Sequence, residues 1–270
     1  MINNKLALST ADIAPDTAPI VLVGSPEENL ETAFNLGYDA IEIHMRENEL
    51  IDAPKIKEKM KERDISISTI VTGRLNTEGG CSLLAEEPYI VDAAIEGLQQ
   101  YVDLASKFNT DLIIGWVKGN VPSRQSRNKY MKRLAKNLSL IDQAAGEKDV
   151  KLFIEVINRY ETNIFNTCKE LVYFLDEYNL ENSYVHLDTF HMNIEENNMT
   201  DAIRLAGERL GYIHFADNDR NYPGHGCIDF VNVVEVLKEI SYSGYISVEC
   251  LPFPDRETAA KKSIEFLKNL

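Results

Sequence analysis

The sequence predicts an α/β fold, a single (β/α)8 barrel, and three observations carry that prediction. Eight short apolar runs alternate with amphipathic segments at roughly 30–45-residue spacing, as expected of a parallel sheet with right-handed crossovers. The length, 270 residues, suits one such barrel and is too great for one small domain. No linker, low-complexity segment or change of composition divides the chain, so residues 1–270 are expected to form one domain.

The elements follow in order. Lys5–Ser9 reads as a first strand, followed by a loop containing proline and aspartate. Ser25-Pro26-Glu27-Glu28 begins a helix: Ser25 can cap it, Pro26 suits its first turn and Glu28 can close a capping box. Gly37 ends that helix where a left-handed residue is needed. Tyr38–His44 is a second strand whose alternation puts Glu42 and His44 on one face. After a lysine-rich helix over Pro54–Arg63, the β-branched run Ile65–Val71 is a third strand. The long loop Thr72–Glu87, with Gly79-Gly80, is expected to cover a site. A helix over Pro88–Phe108 leads to a fourth strand, Leu112–Val117. The loop after it carries Lys118, Arg124 and Arg127, which either meet an anionic substrate group or form a solvated lead-in to a helix.

In the second half, Leu152–Val156 is a fifth strand and Thr167–Glu170 has capping-box spacing. The sixth strand runs through Tyr184-Val185 and delivers Asp188 and His191 where it stops. A helix over Asp201–Leu210 with Thr200 as its cap is followed by a seventh strand, Gly211–Ala216. Asp229 caps a helix that reaches Ile240, Gly244–Cys250 is the eighth strand, and Glu257–Leu267 is the last helix.

Composition excludes several classes of function. A formal net charge of −15 argues against nucleic-acid binding, which needs a basic surface. No apolar run approaches the roughly 18–20 residues of a membrane span, and Met1–Lys5 lacks the profile of a secretory leader. The four cysteines, Cys81, Cys168, Cys227 and Cys250, lie far apart and are expected to be reduced, which points to the cytoplasm.

The last four strands each end in one polar group: Glu155, Asp188, His214 and Glu249. Phe153, His186, Tyr212 and Ser247, two residues earlier, share their inward face, while Val156, Leu187, Phe215 and Val248 point to the helices. Barrel enzymes place their chemistry at the C-terminal strand ends, so the four groups should converge. Two carboxylates ~4 Å apart repel by ~4 kcal/mol at an effective dielectric of about 20. A hard divalent cation offsets that repulsion, and carboxylates with one imidazole suit Mn²⁺ or Mg²⁺, with Co²⁺ or Zn²⁺ also accommodated. The competing reading is a network of buried ion pairs to Arg159 and Arg220.

The segments IEVINRYETN, HLDTFHMNIEE, IHFADNDRNYPG and SVECLP resemble the ketose 3-epimerases of the xylose-isomerase-like TIM-barrel superfamily, most sharply from strand five onward. The familiar members act on D-tagatose, D-psicose and L-ribulose, and the forms NRYET, ADNDR and VECLP are similar to 5-keto-L-gluconate epimerase. The resemblance implies metal ligands Glu155, Asp188, His214 and Glu249, with Glu155 and Glu249 as the acid/base pair. It also implies that Glu161, His191 and Arg220 bind the O1 and O2 end of the substrate. The loops after strands one, three and four, which would hold the far end of the sugar, do not match the ketohexose enzymes.

The implied reaction is C3 epimerisation of a ketose or keto-sugar acid through an enediolate, with a divalent metal, most readily Mn²⁺, as cofactor. The same groups suit aldose–ketose isomerisation. An endonuclease-IV-like phosphodiesterase needs more histidines than the five present, and a non-catalytic sugar- or metal-binding barrel would not need Glu155 and Glu249. A substrate phosphate is not expected, because Asp217 and Asp219 would repel it; a carboxylate at the far end could meet Lys118, Arg124 or Arg74. A homo-oligomer, dimer or tetramer, is expected.

Overall fold

A computed structural model describes residues 4–46 and 51–270. Met1–Asn3, part of the N-terminal run read above for a leader, lie outside the described residues. The barrel strands are β1 (Leu6–Ala11), β3 (Ala40–His44), β4 (Ser66–Val71), β5 (Asp111–Ile114), β6 (Leu152–Glu155), β7 (Ser183–Asp188), β8 (Leu210–Phe215) and β9 (Ile246–Val248). They pair in parallel in that order, and β9 closes on β1 through Leu6–Leu8. One strand was not foreseen. The two-residue β2 (Leu22–Val23) pairs with Thr10 and Ala11, past the point where the short β9 stops. The piece Ile20–Val23 is too short to show a strand's alternation in the sequence.

Two apolar layers hold the closed sheet. Inside the barrel, Val71, Ile113, Phe153 and Tyr212 form a plug, with the Phe153 and Tyr212 rings stacked at 5.4 Å. Outside, Val156, Leu187, Phe215 and Val248 join the larger core beneath the helices, as the strand alternation predicts. The long helix α4 (Pro88–Phe108) presents Leu98, Tyr101, Val102 and Ala105 to that core. Truncating a buried leucine such as Leu187 to alanine would cost about 2–5 kcal/mol, because the packed surroundings collapse only in part.

The helix caps show where local sequence rules held. Helix α1 (Pro26–Leu36) has the full Ser25/Glu28 capping box, and Gly37 is left-handed at φ 89°. Asp229 caps α9 (Phe230–Glu239) through the amide of Asn232. At α6 (Cys168–Glu177) half of the box forms: Thr167 accepts from the Glu170 amide, but the Glu170 carboxylate accepts from Asn166. The helix placed at Asp201–Leu210 is instead α8 (Met199–Ala206). Its cap is Asn198, not Thr200, because the Asn198 side chain accepts from both the Thr200 and Asp201 amides. The loop Thr72–Glu87 contains a short helix, α3 (Gly73–Thr77). The fourth strand stops at Ile114, and Trp116–Lys118 form a 3₁₀ turn. Among the described residues no helix is long and apolar enough to cross a membrane.

Candidate active site

Strand register brings the predicted site residues together. Asp188 lies beside His214, His214 beside Ser247, and Glu155 beside His186 across neighbouring strands. Between β7 and β8 the register shifts by one residue after Val185, which leaves Gly211 without a partner and aligns His186 with Tyr212. Gly211 is needed there, since a Cβ would come within 2.5 Å of the Phe153 ring. Glu249 follows β9 by one residue and points into the same space.

His214 is fixed by a residue from the opposite side of the barrel. Its Nε2 lies 2.7 Å from Glu42 Oε2, and the other Glu42 oxygen lies 3.0 Å from His44 Nε2. Glu42 is fully buried; burial opposes its charge, but the His214 and His44 rings hold its carboxyl well below the usual range. With Nε2 committed to Glu42, Nδ1 of His214 faces Glu249 at 3.6 Å and Asp188 at 4.0 Å. Burial alone would lower the His214 pKa, yet Glu42, Glu249 and Asp188 together push it up to about 10. Asp188 uses one oxygen to cap α7 (Thr189–Glu195) through the Phe190 amide at 2.7 Å. Its other oxygen, and His214 Nδ1, are buried with no hydrogen-bond partner. Asp188, His214 and Glu249 offer donor atoms within 4.8 Å of one another, as do Glu155, Asp188 and His191. Orphaned oxygen and nitrogen donors among carboxylates are what a divalent cation satisfies, so the residues present fit such an ion.

Glu155 and Glu249 have different surroundings. Burial pushes the Glu155 carboxyl up to about 7 and the Glu249 carboxyl up to about 8, against the nearby cations. Glu155 Oε2 packs against Gly115, where a Cβ would approach to 2.7 Å. Below it Lys118, fully buried, donates to the Gly115 carbonyl at 3.0 Å, and burial lowers its pKa to about 8. Lys118 is therefore a buried partner of this wall and not part of a solvated basic loop. Glu249 instead has Arg220, whose guanidinium is 3.8 Å away and lies 4.8 Å above the Phe190 ring.

The remaining predicted residues line the same cavity, about 390 Å³ in volume. His191 Nδ1 accepts from Asn158 at 2.7 Å, which leaves its Nε2 proton facing Glu155 at 3.8 Å and Asp188 at 3.9 Å. Asn158 also donates to Glu161 at 2.9 Å, and Arg220 reaches Glu161 at 3.3 Å. Arg159 does not join the network; it pairs with Glu195 at the surface, so the ion-pair reading lacks one of its two cations. Arg74 lines the cavity, but its guanidinium is taken by Asp12, Glu78 and the carbonyls of Ile13 and His44. Arg124 and the Asp217 and Asp219 pair do not line the cavity. Asp217 accepts from the amides of Asn218, Gly224 and Ile228 and shapes its own loop.

The sequence reading missed the roles of Glu42, Lys118 and Asn158. The signal for Glu42 was present: it shares an inward face with His44, but nothing local linked it to a histidine 172 residues away.

Acidic and imidazole groups gathered in a cavity at the C-terminal ends of a closed parallel barrel define a barrel enzyme. The family model described as xylose isomerase-like TIM barrel matches residues 30–270. An L-ribulose 3-epimerase of Methylomonas sp. strain DH-1 is 33% identical over 257 residues, covering 87% of this chain and 88% of that protein. A D-psicose 3-epimerase of Enterocloster bolteae is 33% identical over 226 residues, covering 79% and 73%. The crystal structure of a D-allulose 3-epimerase from Methylomonas sp. in complex with D-allulose superposes with a TM-score of 0.82 at 28% identity, covering 99% and 98%. The chain belongs to the xylose isomerase-like TIM-barrel family and, like these relatives, is an enzyme of the isomerase class, an epimerase.

Proposed function

We propose that this epimerase inverts C3, the carbon next to the carbonyl, of a ketose or keto-sugar acid, using Glu155 and Glu249 as its acid/base pair. One observation carries the reading: the two glutamates flank Asp188. Glu155 groups with Asp188 and His191, Glu249 groups with Asp188 and His214, and both glutamates line the cavity. Strands β7 and β8 separate the strands that bear them, so a substrate held between them presents one face to each.

Glu155, Asp188, His214 and Glu249 would hold a divalent cation, for which their oxygen-rich donor set suits Mn²⁺ or Mg²⁺ and admits Co²⁺ or Zn²⁺. When bound, such an ion polarises the substrate carbonyl and stabilises the charge that develops as the C3 proton leaves. One glutamate takes that proton and the other delivers one to the opposite face, which inversion requires. His191, with its Nε2 proton directed into the cavity, and Arg220 donate to the carbonyl end, and Glu161 holds Arg220 in place. The printed names of the relatives supply L-ribulose, D-psicose and D-allulose as first substrates to try. One domain over residues 1–270, a dimer or tetramer checked by light scattering, and a cytoplasmic setting in keeping with four free cysteines complete the proposal.

Epimerisation in deuterated water tests the mechanism. Solvent deuterium is expected at C3 of the product from the first turnover. Product that keeps its original C3 hydrogen overturns the two-base scheme, and an aldose as main product favours isomerisation on the same site. Exhaustive chelation is expected to abolish activity and Mn²⁺ to restore it; full activity without metal overturns the cation.

A further inference from the structure

His186 has no place in the chemistry above, and its surroundings are unusual. It is fully buried, inward-facing and two residues before Asp188, so it lies one side-chain layer deeper in the barrel. Neither ring nitrogen has a hydrogen-bond partner. A buried neutral imidazole carries one N–H and one lone pair, and leaving both without a partner is costly. The ring stands edge-on to His214 at 4.2 Å and to Tyr212 at 5.5 Å, and β6 sets Glu155 directly beside it. Donor atoms of Glu155, His186 and His214 lie within 4.8 Å of one another.

From this arrangement we infer that Glu155, His186 and His214 form a second, nitrogen-rich cation position beneath the Asp188–His214–Glu249 group. Two imidazoles and one carboxylate favour Zn²⁺ or Cu²⁺ over Mn²⁺ or Mg²⁺, which prefer oxygen donors. The two positions exclude each other. His214 has given Nε2 to Glu42, so Nδ1 is the one nitrogen it can offer, and both groups need it. The chain thus takes one cation at a time, and the chemistry of the ion decides its depth. The functional consequence rests on the acid/base role proposed for Glu155: an ion in the lower position takes that carboxylate out of proton transfer. Although the upper donor set also admits Zn²⁺, the lower position draws it away, and there it inhibits by competing with Mn²⁺ for the same histidine.

Metal-edge X-ray absorption and calorimetric titration test the inference on the whole chain. Zn²⁺-loaded wild-type protein is expected to show two imidazoles at the metal, and Mn²⁺-loaded protein one. His186→Phe and His186→Leu should weaken Zn²⁺ binding by about ten-fold or more and change Mn²⁺ binding by less than about two-fold. Both should give one imidazole at any zinc that remains. A single imidazole at zinc in the wild type overturns the second position, whether or not either variant folds. Equal loss of Zn²⁺ and Mn²⁺ binding in a variant with wild-type circular dichroism also overturns it. Failure of the upper centre reads out differently: Asp188→Asn would then leave Mn²⁺ affinity unchanged, while the zinc spectrum still counts two imidazoles.

Discussion

Strands β6 to β9 each lead to one potential donor: Glu155 and Glu249 line the cavity, and Asp188 and His214 are buried against them. Strands β1 to β5 behave differently. Glu42 on β3 holds the imidazole of His214, His44 bonds to Glu42 and stands beside Glu249, and the segments after β1 and β4 build the wall through Ile13, Pro19, Gly73 and Arg74. On the proposed chemistry one half of the barrel supplies the reacting groups, and the other orients and encloses them. The difference teaches where each kind of substitution should be felt, in the rate, in the metal affinity or in KM.

The largest effect should come from the donor half. Glu155→Gln or Glu249→Gln keeps the shape and removes the proton acceptor, so kcat should fall by about 10²–10⁴-fold or more. Metal content measured alongside separates lost chemistry from lost binding. If either variant retains more than about a tenth of the wild-type rate, the assignment of reacting groups to this half fails.

The donor half was also the legible half. A carboxylate or imidazole at the end of an apolar run marks itself, because strand alternation fixes which way it points. Thus Asp188, placed at the exit of the apolar run Tyr184-Val185, lies beside His214 on the neighbouring strand. Glu42 was placed on the correct face but not connected, since its partner is brought near only when the barrel closes. Lys118 was misread for a different reason. Its neighbours Gly119, Asn120 and Arg124 look like a solvated loop, whereas Gly115 ends the strand early and turns the lysine under Glu155. The cap at Asn198 lost to Thr200 because both residue types cap well and position alone decides between them.

Glu42→Gln sharpens the comparison from the orienting half. The amide keeps the size but no longer accepts at both oxygens, so His214 loses the partner that fixes its tautomer. Metal affinity should drop by about 10–100-fold, with kcat at saturating metal affected less. Unchanged metal affinity would mean that His214 is held by its strand alone.

Arg74→Met probes the wall. Four contacts tie Arg74 to the segment after β1, to Glu78 and to the His44 carbonyl. Loosening them should raise KM by up to about ten-fold, equivalent to 1.4 kcal/mol, with kcat nearly constant. A collapse confined to keto-acid substrates would show that Arg74 leaves its partners to bind a carboxylate, and the wall would then count as recognition.

The smallest effect is on stability, and its sign follows from the donor half. In the metal-free protein, Glu155 and Glu249 titrate at about 7 and 8 instead of 4.5, and His214 at about 10 instead of 6.5. Each folded pKa lies above its unfolded value, so the native state holds more protons and stability falls as pH rises. His186 and His191, lowered by burial, act in the opposite sense, but only below their unfolded value of 6.5. Lys118, lowered to about 8 from 10.5, opposes the trend only above pH 8. Between pH 6.5 and 8 the carboxylates and His214 therefore act without that opposition, and metal-free Tm should decline. Each proton contributes at most about 1.4 kcal/mol per pH unit, and each kcal/mol shifts Tm by about 2–4 °C in a chain of this size. Mn²⁺ displaces those protons and binds better as pH rises, so the Tm gap between loaded and metal-free protein should widen across the same window. Thermal melts with and without chelator at pH 6.5, 7.2 and 8 measure it. A metal-free Tm that stays level or climbs would show that the four strand-end groups do not share a buried, proton-holding site.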